Sequence, residues 1–317
     1  MLFKKPNFWD QKKLSFFSIL LLPFTIPIRL NNILKDKSSK FSSNRIISLC
    51  VGNIYLGGTG KTPTTIKLYE IIKNINSKSI VTAKKSNIDH YDEINLLKSK
   101  TNFITAPSRK EILLKAIKRK TKVIIFDDGL QDKNIDYNLK IVCFDADRWI
   151  GNGQLIPSGP LREKIESLKK FDLVFIKNEN FKNLQFNKTI KKINPSINIF
   201  YSKYKITNLN RFNLNKKYLI FSGVGDPTNF EKILKKKNFK IIKHLIFPDH
   251  YGYKKSDFLN IINKAIELNC KIITTEKDYM KVPKSFKNKI NFIKINLIIK
   301  NQNKLTNILK SIINDKS

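Results

Sequence analysis

Three cysteines in 317 residues, Cys50, Cys143 and Cys270, are too few and too scattered for a disulfide framework or a cysteine-based zinc site. They suit a reducing compartment. Eleven glycines and eleven prolines exclude a collagen-like or proline-rich low-complexity chain. Acidic residues are scarce: 25 against 61 Lys and Arg, a formal net charge of +36. No apolar run reaches the roughly 20 residues that a membrane-spanning helix needs. What is present is a globular balance, 41% hydrophobic and 27% charged, which excludes wholesale disorder. The length suits two domains. The basic excess is nearly all Lys, spread along a chain rich in Ile and Asn. It admits a solvated Lys coat, an anionic membrane surface or nucleic acid.

The N-terminus favours the membrane among these. Residues 1–13 are basic and carry Trp9, residues 14–28 are uncharged, and Arg29, Lys35, Lys37 and Lys40 follow. Pro23 and Pro27 interrupt the apolar stretch. Arg29-Leu30-Asn31-Asn32 is no signal-peptide cleavage site, so the segment is expected to stay on the chain. An uncharged stretch too short to span, with basic flanks and a Trp, suits a helix lying in one leaflet. A single anchor is the other membrane arrangement, and packing on its own domain is the ordinary one.

Beyond residue 40, apolar runs alternate with helical spacing. Strands are expected at 46–53, 79–83, 123–126, 139–144 and 173–176, with helices at 61–74, 96–99 and 111–118. Residues 84–93 read as a polar loop, and 180–216, rich in Asn and Lys, as a domain junction. A second pattern begins at 218–221 and continues through 241–247, 258–268 and 271–275. The expectation is an α/β fold: a doubly wound, mostly parallel sheet of the P-loop NTPase kind, followed by a smaller α/β domain. The expected segments are 1–40 (membrane-associated), 41–210 (nucleotide-binding) and 211–317 (closing over the site). In such sheets ligands gather at the carboxyl ends of the strands.

The polar motifs fall at those ends. Gly57-Gly58-Thr59-Gly60-Lys61-Thr62 lies between a strand and a helix, the context of a phosphate loop. Glycines let backbone N–H groups close on phosphate oxygens, Lys61 reaches the β- and γ-phosphates, and the Thr62 hydroxyl suits Mg²⁺. The general pattern wants Gly where Tyr55 stands. The run at 123–126 ends in Asp127-Asp128, adjacent carboxylates that repel one another unless a cation is near. A turn through Asp128-Gly129 is the plain reading. After a phosphate loop, either or both acids are expected at the metal.

Gly52-Asn53, Asp127-Asp128-Gly129-Leu130-Gln131, Gly151-Asn152-Gly153, Leu155-Ile156-Pro157, Gly159-Pro160-Leu161-Arg162-Glu163, Phe247-Pro248-Asp249-His250 and Thr275-Glu276-Lys277-Asp278 appear in that order. Together they resemble the tetraacyldisaccharide 4'-kinase family, from the apolar N-terminus to about Lys281. The resemblance implies transfer of the γ-phosphoryl group of ATP, with Mg²⁺, to the 4'-hydroxyl of a tetraacyldisaccharide 1-phosphate, a lipid A precursor. It implies work at the cytoplasmic face of the inner membrane. It makes Asp92 of Asp92-Glu93 the catalytic base and His250 its partner. It also sets Arg162 on phosphate, Glu163 at the metal, and Gln131 on phosphate or water. A carboxylate can take the proton of a sugar hydroxyl, and an imidazole can hold or relay it. These residues are far apart in the chain, so the second domain is expected to fold back over the first.

Three positions depart from the family pattern. Thr82-Ala83-Lys84-Lys85-Ser86-Asn87 stands where Ser-Arg-Gly-Tyr-Gly is usual, Ile94 where Pro is usual, and Asp132 where His is usual. The first bears on the register of Asp92. A membrane-associated regulatory ATPase is the competing reading, but it would place a signature Lys where Leu56 stands. A nucleic-acid binder would gather its Lys into a patch with aromatics, and here they are dispersed, so no nucleic-acid partner is expected. A monomer is expected.

Overall fold

A computed structural model describes residues 5–36, 41–43, 45–75, 80–85, 91–132, 134–179 and 184–314. The strands are β1 Ile47–Gly52, β2 Ile80–Lys85, β3 Phe103–Ala106, β4 Val123–Asp127, β5 Leu139–Asp145, β6 Leu173–Lys177 and β7 Asn198–Ile206. They continue as β8 Lys217–Ser222, β9 Lys240–Ile246, β10 Lys271–Thr275, β11 Ile290–Ile293 and β12 Ile295–Ile299. They form an eight-stranded sheet, β12-β7-β6-β5-β1-β4-β2-β3, and a four-stranded sheet, β11-β10-β8-β9.

The larger unit, within Lys5–Asn87, Lys100–Lys203 and Leu297–Ser317, is built on the eight-stranded sheet. Every residue of β1 and of β4 is buried, as befits central parallel strands covered on both faces. β1 pairs in parallel with β4 and with β5, and Val51 lies beside Asp127. The chain leaves β1 outward to β2 and β3, returns to β4, and then passes to the other side through β5, β6 and β7. That reversal opens a crevice at the carboxyl end of β1. The helix Lys61–Ile75 follows β1 and turns Thr65, Leu68 and Ile72 to the core. Pro63 sits in its first turn, where the missing N–H costs nothing.

The N-terminal segment belongs to this unit. Trp9 is buried and its indole N–H donates to the Pro157 carbonyl (2.9 Å). The Trp9 carbonyl accepts the Asn152 N–H (2.9 Å), and a Cβ on Gly151 would lie 2.2 Å from that carbonyl, so only Gly fits there. Ser18 and Ser158 exchange hydroxyl-to-carbonyl bonds of 2.9 and 2.7 Å, and Asn32 donates to the Arg162 carbonyl (3.0 Å). The helices Phe16–Leu20 and Ile26–Asp36 nevertheless leave Phe16, Phe17, Leu20, Phe24 and Leu30 exposed. Among the described residues no helix is long and apolar enough to cross a membrane.

The described residues of the smaller unit lie within Ile88–Ser99 and Tyr204–Asn296. Its four strands pair in parallel around Leu219, Phe221, Phe258, Ile261 and Ile272. Asp226 caps the helix Pro227–Lys235, and Pro227 takes its first position. The units are therefore not successive stretches: a short excursion near residue 92 joins the smaller one, and the chain after 296 returns to the larger one.

Two local expectations need correction. Residues 84–93 are not one loop, because β2 runs to Lys85 and a helix, Tyr91–Lys100, begins at Tyr91; residues 86–90, including Ser86 and Asn87, lie outside the described residues. Within 180–216 stand the helix Leu184–Ile193 and the strand β7. Phe186, Ile190 and Ile193 are that helix's inner face, masked in the sequence by the Lys and Asn of its outer face.

Candidate active site

The phosphate loop begins where β1 ends. Gly57 and Gly60 have φ of +136° and +86°, backbone that L side chains avoid. The Asn53 amide braces the loop by donating to the carbonyls of Tyr55 (2.5 Å) and Gly57 (3.1 Å). The Thr59 hydroxyl is buried in it without a hydrogen-bond partner among the described residues. Tyr55 fits because its backbone needs no positive φ. Its ring is buried with Leu155 and Leu161, and its hydroxyl bonds to Asp10 and Lys5.

The two adjacent aspartates have separate surroundings. Asp127 is buried and accepts from Thr62 Oγ1 (2.9 Å), Thr65 Oγ1 (3.2 Å) and Lys84 Nζ (3.0 Å). Asp128 has φ of +61° and meets Lys61 Nζ at 3.6 Å on one oxygen and Arg162 Nη1 at 3.3 Å on the other. Burial alone would raise the Asp128 carboxyl, but Lys61, Arg162, Lys84 and Arg109 together hold it well below the usual range. Gln131 donates to the Asn53 carbonyl (2.8 Å) and to Glu163 (3.4 Å), and its amide oxygen accepts from Arg162 (3.1 Å). Lys61, Asp128, Gln131, Arg162 and Glu163 thus form one polar cluster. Arg162-Glu163 does not open an α-helix; it lies in a bend before a 3-10 turn at Ile165–Lys170.

A second cluster forms in the smaller unit. Asp92 opens the helix Tyr91–Lys100, and its Oδ1 lies 2.9 Å from His250 Nδ1. Their separation of 158 positions is closed because that helix belongs to the same unit as the loop after β9. Lys277 and Lys281 approach Asp92 Oδ2 at 3.3 and 3.2 Å. Burial opposes ionisation of Asp92, but the His250 hydrogen bond, then Lys277, the imidazole charge and Lys281, hold the carboxyl well below the usual range. Asp249 and Glu93 lie 3.3 and 3.7 Å from Lys277.

Comparisons with known proteins give the family. The family model described as tetraacyldisaccharide-1-P 4'-kinase, LpxK, matches residues 16–314. The chain is 45% identical over 309 residues to the tetraacyldisaccharide 4'-kinase of Pelagibacter ubique, covering 98% of each chain. This chain belongs to the LpxK family. It is also 32% identical over 317 residues to the tetraacyldisaccharide 4'-kinase of Rickettsia canadensis, across 95% of this chain and 94% of that one. A crystal structure of LpxK from Aquifex aeolicus, in complex with ATP, shares the fold with a TM-score of 0.70 at 20% identity. That match covers 93% of this chain and 99% of that one. The regulatory ATPase reading finds no support among these relatives.

Within this LpxK family member, sequence reasoning missed three features. Lys84 entered only as a departure, yet a Lys in an otherwise apolar strand demands an internal acid, and Asp127 on the neighbouring strand is that acid. Arg109 carries no mark in the sequence, yet it ion-pairs with Asp132 (2.7 Å) and bonds to the Asp128 carbonyl. Lys277 and Lys281 had no assigned role, although their spacing of four places both on one side of a helical turn.

Proposed function

We propose that the chain transfers the γ-phosphoryl group of ATP to the 4'-hydroxyl of a tetraacyldisaccharide 1-phosphate. Membership in the LpxK family carries the reaction. The hydrogen bond between buried Asp92 and half-buried His250 is the observation that supports a base for it. The loop N–H groups, Lys61 and Arg162 bind and align the phosphates, and Gln131 braces Arg162. Asp92 takes the hydroxyl proton as the sugar oxygen bonds to the γ-phosphorus. The bond from that phosphorus to the β-phosphate oxygen breaks, and ADP leaves. His250 holds the carboxylate through Oδ1. Most of the catalysis is alignment and charge stabilisation.

The residues fit Mg²⁺. The Thr62 hydroxyl spends its proton on Asp127 and keeps lone pairs, and Asp128 and Glu163 supply further oxygens. Asp127, already accepting three hydrogen bonds, orients Thr62 and ranks behind Asp128 as a direct ligand. Among the described residues no three acidic, imidazole or thiol groups form a metal cluster. Mg²⁺ is ordinarily held by one or two side chains together with phosphates. When bound it neutralises phosphate charge.

The enzyme works as a peripheral protein at the cytoplasmic face of the inner membrane, its N-terminal apolar face set into the leaflet. The exposed Phe16, Phe17, Leu20 and Phe24 and the Lys excess support this.

The test is mass spectrometry of a tetraacyldisaccharide 1-phosphate, dispersed in detergent and incubated with Mg-ATP. A new phosphate on the lipid is expected, with a loss of about 10²- to 10³-fold in Lys61→Ala and in Asp92→Ala. Full activity in Asp92→Ala removes the base. ATP hydrolysis on vesicles without lipid product restores the regulatory ATPase.

A further inference from the structure

A carboxylate that must accept a proton needs one oxygen with a free lone pair, yet it must also be ionised and immobile. The two oxygens of Asp92 are held in different ways. Oδ1 takes the hydrogen bond from His250 Nδ1. Oδ2 is buried and, among the described residues, meets no aligned hydrogen bond; Lys277 Nζ and Lys281 Nζ stand 3.3 and 3.2 Å from it as ion pairs. Both ammonium groups face that oxygen as ion pairs, and each is also anchored by other partners. Lys281 donates to the Tyr251 carbonyl (3.0 Å) and lies over the Tyr253 ring (5.7 Å). Lys277 donates to Asp249 (3.3 Å) and faces His250 Nε2 (3.4 Å).

The lysines are themselves fixed. They sit on the turn that follows β10, where Thr275 caps the Asp278 N–H (3.0 Å). Asp278 in turn accepts the Gly223 N–H (3.0 Å) and the Tyr253 hydroxyl (3.2 Å). Among the described residues the charged groups facing Asp92 are therefore His250 from the loop after β9, Lys277 and Lys281 from the turn after β10, and its helix neighbour Glu93. Asp249 and Glu93 balance Lys277, and Asp278 lies 4.0 Å from Lys281. Surface ion pairs contribute little, but here Asp92 is only 2% exposed and both lysine side chains 16%.

We propose that Lys277 and Lys281 are positioning residues for the phosphoryl transfer: their ion pairs to Oδ2 pin the Asp92 carboxylate in place, and that oxygen keeps a further lone pair for the hydroxyl proton. This rests on Asp92 being the base. It explains how a carboxyl buried this deeply, which would otherwise take up a proton near neutral pH, stays ready to accept one from the substrate.

The experiment has two readouts. The first follows Asp92 by ¹³C NMR of aspartate carboxyl carbons in the full-length protein. In the wild type its resonance stays that of a carboxylate below about pH 3; in Lys277→Met/Lys281→Met its midpoint rises to or above the ordinary value of about 4. The second is the pH profile of kcat. The acid limb of the double variant moves up by at least about one unit, a tenfold loss per unit at low pH, with activity recovering toward pH 9 and KM for ATP unchanged. Lys277→Arg and Lys281→Arg keep the wild-type profile.

A wild-type Asp92 that titrates near pH 4 overturns the proposal, and it needs no variant. An equal loss at every pH overturns it in favour of a purely structural role. A raised KM for the lipid with an unmoved acid limb overturns it in favour of phosphate-binding lysines. If Asp92→Asn keeps full activity, it is the base assignment that falls; the NMR titration still reports whether the lysines hold the carboxylate.

Discussion

The Lys84–Asp127 pair offers the sharpest test of the larger unit. Its Nζ and Oδ2 are 3.0 Å apart, and the side chains are 3% and 0% exposed. In Lys84→Met the carboxylate of Asp127 keeps the hydroxyls of Thr62 and Thr65 but loses the one cation paired with it among the described residues. Removing one partner of a buried pair costs about 3–5 kcal/mol, because the remaining charge is left uncompensated. The two surviving hydrogen bonds set the expectation at the lower end, about 3 kcal/mol. The assay is urea unfolding followed by tryptophan fluorescence. Both tryptophans of the chain, Trp9 and Trp149, lie in the larger unit, so the signal reports that unit alone. Adding Asp127→Asn to Lys84→Met should return at least about 1 kcal/mol, since the uncompensated charge is gone. A Lys84→Met protein that unfolds within about 0.5 kcal/mol of wild type would refute this reasoning. Asp127 would then be compensated by something other than Lys84.

Acid stability follows from Asp128. Its carboxyl is held below the unfolded value of about 3.9, so its contribution is complete above that value and is lost as pH falls below it toward the folded one. Thermal melts between pH 2 and 6 should show that slope, and Lys61→Ala should flatten it by about 1.4 kcal/mol for each unit of depression removed; an unchanged slope would mean that Lys61 does not hold Asp128. Membrane attachment gives the other prediction. In Phe17→Ser/Phe24→Ser, two exposed rings no longer enter the leaflet, at about 1.5–3 kcal/mol each, so sedimentation with anionic vesicles should fall by at least about tenfold. Activity on detergent-dispersed lipid should hold, and unchanged sedimentation would remove the apolar face as the attachment.

Some of this molecule is legible in the sequence because burial leaves a pattern. The run 123–126 followed by two acids reads as a central strand ending at a site, and β4 is that strand. Gly57 to Thr62 reads as a phosphate loop because its glycines are a backbone requirement as well as a chemical one. Asp92 needed the family likeness. It looked like one acid in a polar loop because the helix it opens is short and the partner that gives it meaning, His250, is supplied by a distant loop. Strand β3 spans only Phe103–Ala106, too few residues to show a period. Lys84, Arg109, Lys277 and Lys281 were hidden for another reason. A Lys or Arg in a chain so rich in them carries no signal until its carboxylate is known, and carboxylate partners are set by tertiary packing.

The bonds of Trp9, Ser18 and Asn32 to the loop between Asn152 and Arg162 have a practical side. Cutting away the greasy N-terminus to obtain a better-behaved enzyme removes an indole from the interior and strips hydrogen-bond partners from the Pro157, Ser158 and Arg162 carbonyls. The shortened protein would be a different catalyst, with its arginine on a slackened loop. For the intact chain the same bonds act as a spacer. If the N-terminal face enters a leaflet and Arg162 binds phosphate, as proposed, the depth of the one fixes the height of the other.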